Sequence, residues 1–227
     1  MNMKVKRFAV VAIMMVVALS ASAQYEPGKW AMQFRFGFGA SQLSNMEKIP
    51  MGGGELDTQF KGASSWGLDF EYQATKLLGV SIGLSRTSQG SAWEDYTDAT
   101  QVKYKDPEVD LDYINVPLIA NFYVTKGLAL KTGLQLGYLI NADLSMHTES
   151  SFEGRDLTTK TTLDIEKDCN KIDLSIPVGI SYEFRSHFVI DARYNIGLTK
   201  VNKEDVFGPK DNKNGVFMLS FGYKFDL

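Results

Sequence analysis

The sequence predicts an all-β fold, an eight-stranded antiparallel up-and-down transmembrane β-barrel. Three observations carry that prediction. Apolar and polar residues alternate with a period of two over eight segments, tight turns and long connections alternate between those segments, and the glycines share a face with the charged residues while large apolar side chains occupy the other. The chain has 227 residues, of which 24 are basic and 27 acidic, with a 44% hydrophobic share and a single Cys. That length suits one domain, the charge balance lacks the basic footprint of a nucleic-acid binder, and one Cys makes no internal disulfide.

Residues 1–23 read as a secretory signal peptide outside the fold. Lys4, Lys6 and Arg7 form a positive start, Phe8 to Leu19 an apolar stretch, and Ala21-Ser22-Ala23 a small-x-small cleavage site before Gln24. Twelve apolar residues are too few to span a bilayer as a helix, and no later segment reaches the length a helix needs. Residues 24–227, the mature barrel with four long extracellular loops, hold 21 basic and 27 acidic residues, a net charge of −6.

The first strand sets Trp30, Met32, Phe34, Phe36 and Phe38 against Gln33, Arg35, Gly37 and Gly39. The second opposes Trp66, Leu68, Phe70 and Tyr72 to Gly67, Asp69, Glu71 and Gln73, and the third opposes Val80, Ile82 and Leu84 to Ser81, Gly83 and Ser85. Ile114, Val116, Leu118, Ala120 and Phe122 form the apolar face of the fourth, and Leu130, Leu134, Leu136, Tyr138 and Ile140 that of the fifth, opposite Lys131, Gly133, Gln135 and Gly137. The sixth places Ile172, Leu174, Ile176, Val178, Ile180 and Tyr182 against Asp173, Ser175, Gly179 and Glu183. The seventh places Phe188, Ile190, Tyr194 and Ile196 against Asp191, Arg193 and Gly197, and the last places Phe217, Leu219, Phe221, Tyr223 and Phe225 against Ser220, Gly222 and Lys224.

Turns near Thr75-Lys76-Leu77-Leu78, Thr125-Lys126-Gly127 and Arg185-Ser186 have hairpin length and face the periplasm, while the connections 41–63, 87–110, 141–171 and 199–214 are long. A closed ring of eight strands holds a modest set of side chains, so about forty apolar residues cannot fill its interior and face lipid instead. Trp30, Tyr72, Phe122, Tyr182, Phe184, Phe188 and Phe225 form an aromatic girdle at the turn end. Pro117 and Pro177 interrupt the fourth and sixth strands, where a bulge at each accounts for the missing donor.

The signal ending Ser22-Ala23, the eight strands, the hydrophobic-Pro-hydrophobic steps and the closing Leu219-Ser220-Phe221-Gly222-Tyr223-Lys224-Phe225 resemble the small outer-membrane β-barrel proteins of Bacteroidota, labelled PorT-like or porin-family, which are similar in architecture to OmpX and the OmpA barrel. The chain departs from them by ending Phe225-Asp226-Leu227. The resemblance implies the outer membrane, with membrane lipid, lipopolysaccharide and, through the last strand, the barrel-assembly machinery as partners.

The lumen face carries Arg35, Asp69, Glu71, Lys131, Asp173, Glu183, Asp191, Arg193 and Lys224. Mixed signs in a narrow interior favour a paired network that closes the barrel, since a desolvated charge needs a partner. The leading reading is a closed surface or envelope component, or an accessory subunit of a secretion or uptake complex. A narrow porin-like channel for small solutes is the alternative, and a lipid-modifying enzyme the third reading. Asp143, Ser145 and His147 share a strand face, but same-face neighbours sit about 7 Å apart and make no triad by themselves. No catalytic residue is assigned, and two His and one Cys suggest neither a metal cluster nor a cofactor. Cys169 reads as a free loop thiol. The connection sums are −1, −4, −3 and +1 in chain order, an acidic rim open to a protein partner. Leu157, Thr159, Thr161 and Leu163 alternate after a turn at Glu153-Gly154-Arg155, so the fifth and sixth strands continue above the membrane as a hairpin with an open edge.

Overall fold

The computed structural model describes residues 25–46, 57–97, 102–152, 155–203 and 211–227, with 150–152 and 155–157 as backbone only. Residues 1–23, read from the sequence as a signal peptide, and the expected turn residues Glu153 and Gly154 lie outside the described residues. The strands are β1 (Trp30–Leu43), β2 (Thr58–Gln59), β3 (Lys61–Gln73), β4 (Leu78–Trp93), β5 (Tyr96–Thr97), β6 (Lys103–Tyr123), β7 (Leu128–Phe152), β8 (Arg155–Asp164), β9 (Ile172–Glu183), β10 (Phe188–Gly197) and β11 (Asn214–Asp226). Eight of them close into a ring in the order β1-β3-β4-β6-β7-β9-β10-β11, with β11 paired back onto β1 and every pairing antiparallel.

The register places Phe36 beside both Phe221 and Trp66, and Arg35 beside both Gly222 and Gly67. Large outward side chains therefore form rows, while Arg35 on the lumen face sits between two glycines that leave it room. Phe34, Phe36, Phe38, Trp66, Leu134 and Leu136 are each at least half exposed, whereas Arg35, Asp69, Asp191, Arg193 and Lys224 are buried. This inside-out distribution is the one a lipid-facing barrel requires.

The connection 87–110 differs from its reading as a loop, and 141–171 forms the projecting hairpin expected of it, because β6 and β7 run for 21 and 25 residues. A tilted strand crosses a bilayer in about 9–11 residues, so about half of each stands outside it. There β8 pairs with β7 from Arg155 to Asp164, and β5 adds to β6. Alternation persists where the chain leaves lipid, and backbone pairing continues with it. The membrane surface is marked by the last outward apolar residues, Phe38, Trp66, Leu84, Ile114, Ile140, Ile172, Leu198 and Phe217. Arg86, Asp112, Lys171, Lys200 and Lys213 stand just beyond them in sequence.

The expected bulges at the prolines are absent. Pairing of β6 with β4 breaks between Leu118 and Asn115 and resumes in the same register, as does pairing of β9 with β7 between Val178 and Ser175. The same register, carried across each gap, sets Gly83 against Pro117 and Gly133 against Pro177. Proline removes one donor without adding a residue, so the ladder opens on one side and keeps its phase. A true register shift occurs between Asp112 and Tyr113, whose partners are Asn141 and Leu139, leaving Ile140 as the extra residue.

Candidate functional site

The lumen is built in three layers. At the level of the membrane, Arg35 on β1 donates through Nε to Asp69 Oδ2 on β3 at 2.8 Å. Across the barrel, Asp191 Oδ2 on β10 accepts from Lys131 Nζ on β7 at 2.6 Å and from Arg193 Nη2 at 3.2 Å. A Cβ at Gly83 would collide with the Asp69 carboxylate, which explains glycine there. All five of these charged residues are nearly or fully buried.

Toward the short-turn end, Lys224 Nζ lies 3.3 Å from Glu71 Oε2 and 3.2 Å from Glu183 Oε2, and donates to Tyr123 Oη at 3.0 Å. Tyr123 in turn donates to Glu71. The ammonium stands over two rings, 5.6 Å from the centroid of Tyr25 and 5.5 Å from that of Tyr123. Tyr25 reaches this place because residues 25–29 run under the barrel as a strap, held by Gly28 N donating to Gln73 O at 2.8 Å. Its hydroxyl donates to Glu183 Oε2 at 3.3 Å, and burial, followed by the Glu183 charge, pushes its phenol well above the usual range. Below the cluster a mouth of about 830 Å³ opens, rimmed by Lys29, Lys126, Arg185 and His187.

The third layer, at the loop end, is apolar. Leu43, Met46, Trp93, Val109, Leu111, Tyr113, Leu139, Ala142, Leu144, Ile165, Cys169 and Val201 pack into one buried cluster. The bulge at Ile140 creates part of it by turning both Leu139 and Ala142 inward. Trp93 Nε1 donates to Met46 O at 3.2 Å, so the ring is anchored while its body fills the barrel. Cys169 is a free thiol on the connection before β9, and that connection folds into the core: the side chain is fully buried, its backbone is bridged to Asn202, and burial pushes its thiol up to about 12.

Eight of the nine lumen residues named from the sequence thus fall into three ion-pair groups. Asp173 stands apart, accepting from Asn214 Nδ2 at 3.0 Å and Thr199 Oγ1 at 3.2 Å beneath the apolar layer. Sequence reasoning missed Tyr25 and the apolar layer; it placed Tyr123 on the lumen face beside Asn115 and Asn121, but not in the cluster with Glu71 and Lys224. The missed signal lay in Val109-Asp110-Leu111-Asp112-Tyr113, where apolar residues occupy the lumen parity.

On the outer face of the projecting strands, Asp143 Oδ2 accepts from Asn141 at 2.8 Å, Ser145 Oγ donates to Glu108 at 3.4 Å, and His147 Nδ1 lies 4.0 Å from Asp106. Each of the three turns to a different partner. Lys61 bridges Asp110 at 2.6 Å and Glu108 at 3.4 Å; burial depresses its pKa, but hydrogen bonding and charge from those acids outweigh it and the net shift is upward. Among the described residues no group of His, Cys, Asp or Glu is placed to hold a metal ion.

A family model described as an outer membrane protein beta-barrel domain matches residues 22–203. No curated protein matches the chain significantly. Similar solved structures include Ail of Yersinia pestis in complex with the heparin analogue sucrose octasulfate, at 20% identity over 88% of this chain and 100% of that one with a TM-score of 0.44. Neisserial surface protein A matches at 15% identity over 86% and 97%, TM-score 0.44, and OprG of Pseudomonas aeruginosa at 14% over 90% and 99%, TM-score 0.42.

Proposed function

The chain belongs to the outer membrane protein beta-barrel domain family, and from that premise we propose that it is a closed barrel of the cell surface, acting through its projecting sheet rather than through its lumen. The observation that carries this reading is the apolar layer from Leu43 to Val201, a cluster of buried side chains stacked on the charged layers below it. Water and ions need a continuous polar path, and the buried, packed Trp93, Leu111 and Leu139 support the reading that the lumen lacks one. The projecting β7–β8 hairpin has a free edge on β8 among the described residues. Such an edge can accept a strand from a partner, as a subunit of a secretion or uptake complex would supply.

The finer assignment belongs to the same proposal. The chain is a PorT-like barrel of Bacteroidota, exported by residues 1–23, assembled through the Phe221–Leu227 end of β11, and without catalytic activity. Divergent partners of Asp143, Ser145 and His147 support the last point. The test is planar-bilayer recording on the refolded mature chain, with lipid turnover measured on the same sample. Closure expects no steady current, and a stable, selective current that shifts when Lys131 or Arg193 is neutralised would overturn it in favour of a solute channel.

A further inference from the structure

Three lysines converge at the outer edge of the apolar band on the β9–β10–β11 wall. Lys171 precedes β9, Lys200 follows β10 and Lys213 precedes β11, and together with Asn170, Ile172, Leu198 and Thr199 they line a depression of about 490 Å³. The backbone of each lysine is pinned. Lys171 O accepts from Leu139 N at 2.8 Å, Lys200 O from Asn170 Nδ2 at 3.0 Å, and Lys213 exchanges bonds of 2.9 Å with Ser44 through its N–H and its carbonyl. Lys171 holds Glu166, whereas among the described residues the ammonium groups of Lys200 and Lys213 have no carboxylate partner. Of the four long connections only 199–214 sums positive, at +1 with its acids counted. The acids Glu108, Asp110 and Asp112 belong to β6, three places away in the ring from β10.

The floor of the depression decides the ligand. Ile172 and Leu198 are 49% and 39% exposed and continue downward into the lipid-facing residues Ile196, Tyr194 and Phe217. A soluble anion gains nothing from that apolar surface, whereas a lipid places its phosphate among the lysines and its acyl chains along the wall. We propose that Lys171, Lys200 and Lys213 form a binding site for the phosphate group of an outer-leaflet lipid.

The experiment uses the refolded mature chain in detergent and native mass spectrometry, with bis-phosphorylated lipid A, its dephosphorylated analogue and inorganic phosphate as probes. Phosphorylated lipid A should bind as one retained molecule at least tenfold more tightly than the dephosphorylated analogue, and millimolar inorganic phosphate should not displace it. Near-surface lysines each contribute about fivefold to the attraction of anionic lipid, so Lys200→Gln with Lys213→Gln should weaken binding roughly twenty-five-fold. Lys103→Gln with Lys160→Gln, on the projecting sheet, should leave it unchanged. Equal binding of the two lipids, equal loss in both double variants, or displacement by free phosphate would overturn the proposal. Each single variant at exposed Lys200 or half-buried Lys213 carries the same test should the double variant not fold, and the comparison of the two lipids on the wild type needs no variant.

Discussion

At the residue scale, the most consequential side chain in the lumen is Asp191, because one carboxylate oxygen serves both Lys131 and Arg193. Removing one partner of a buried pair costs about 3–5 kcal/mol, whereas removing both is often close to neutral. Asp191→Asn should therefore lower the melting temperature of the refolded barrel more than Arg193→Gln does, since the first strands two cations and the second leaves Lys131 paired. Arg35 and Asp69 form a simpler pair, so Arg35→Gln with Asp69→Asn should be milder than either change alone; an additive double variant would contradict the pairing. On the opposite face, Leu134→Arg points into lipid and should cost about 2–4 kcal/mol or block assembly, while lumen-facing Gln135→Arg should be better tolerated in the same melting assay. Cys169 supplies a chemical reporter. Its pKa rises from an ordinary 9.0 to about 12, through burial first and Asp168 second, so the folded state disfavours the thiolate. The thiol's contribution to stability is complete below pH 9 and is lost as pH rises through about 12. Iodoacetamide at pH 8 should leave the folded barrel unmodified and alkylate it on unfolding.

Among the elements, the β7–β8 hairpin and the strap at 25–29 do opposite things. The hairpin extends away from the apolar layer, with Leu144 the last residue of β7 that belongs to the plug. Replacing 147–160 by a two-residue turn between the paired residues Met146 and Thr161 should leave the melting temperature within a few degrees of wild type and abolish partner capture in a crosslinked pull-down from native outer membrane. Capture that survives the deletion would assign partner binding to another surface. Orientation is checked on intact cells, where protease should cut near Asp95 and Arg155 and spare the turns at Lys126 and Ser186. The prolines show how little a ring disturbs its own phase: each gap beside Pro117 and Pro177 is bridged by pairing on the other side, since Pro117 keeps its place opposite Gln135 and Pro177 opposite Asn195.

For the whole molecule, the closure proposed above has two barriers. The apolar plug and the charged layers lie in series, so opening one leaves the other in place. Trp93→Ala with Leu111→Ala should produce no steady current, and the same pair combined with Arg35→Ser and Asp69→Ser should begin to conduct. Conduction from the plug variant alone would place the whole barrier in the outer layer. At the outer rim the acids Glu108, Asp110 and Asp112 lie on β6, while Lys200 and Lys213, without a carboxylate partner among the described residues, flank β10 and β11.

Period-two alternation by itself determined the eight strands, their lipid and lumen faces and the girdle of Trp30, Tyr72 and Phe225, because which way a side chain points along a strand is a property of the local backbone. It also determined that Arg35, Asp69, Lys131 and Asp191 share the interior. Which acid meets which cation was decided only by closure and register, which bring Lys131 on β7 to Asp191 on β10 although a strand lies between them. The apolar plug was likewise a tertiary decision. One extra residue at Ile140 reverses the inward parity of β7, and whether Val109 and Leu111 face lipid, water or each other depends on how far the sheet climbs above the membrane. The strap was hidden for the same reason: nothing in the sequence around Tyr25 shows that it will turn back beneath the barrel, where Glu183, 158 positions away, accepts its hydrogen bond.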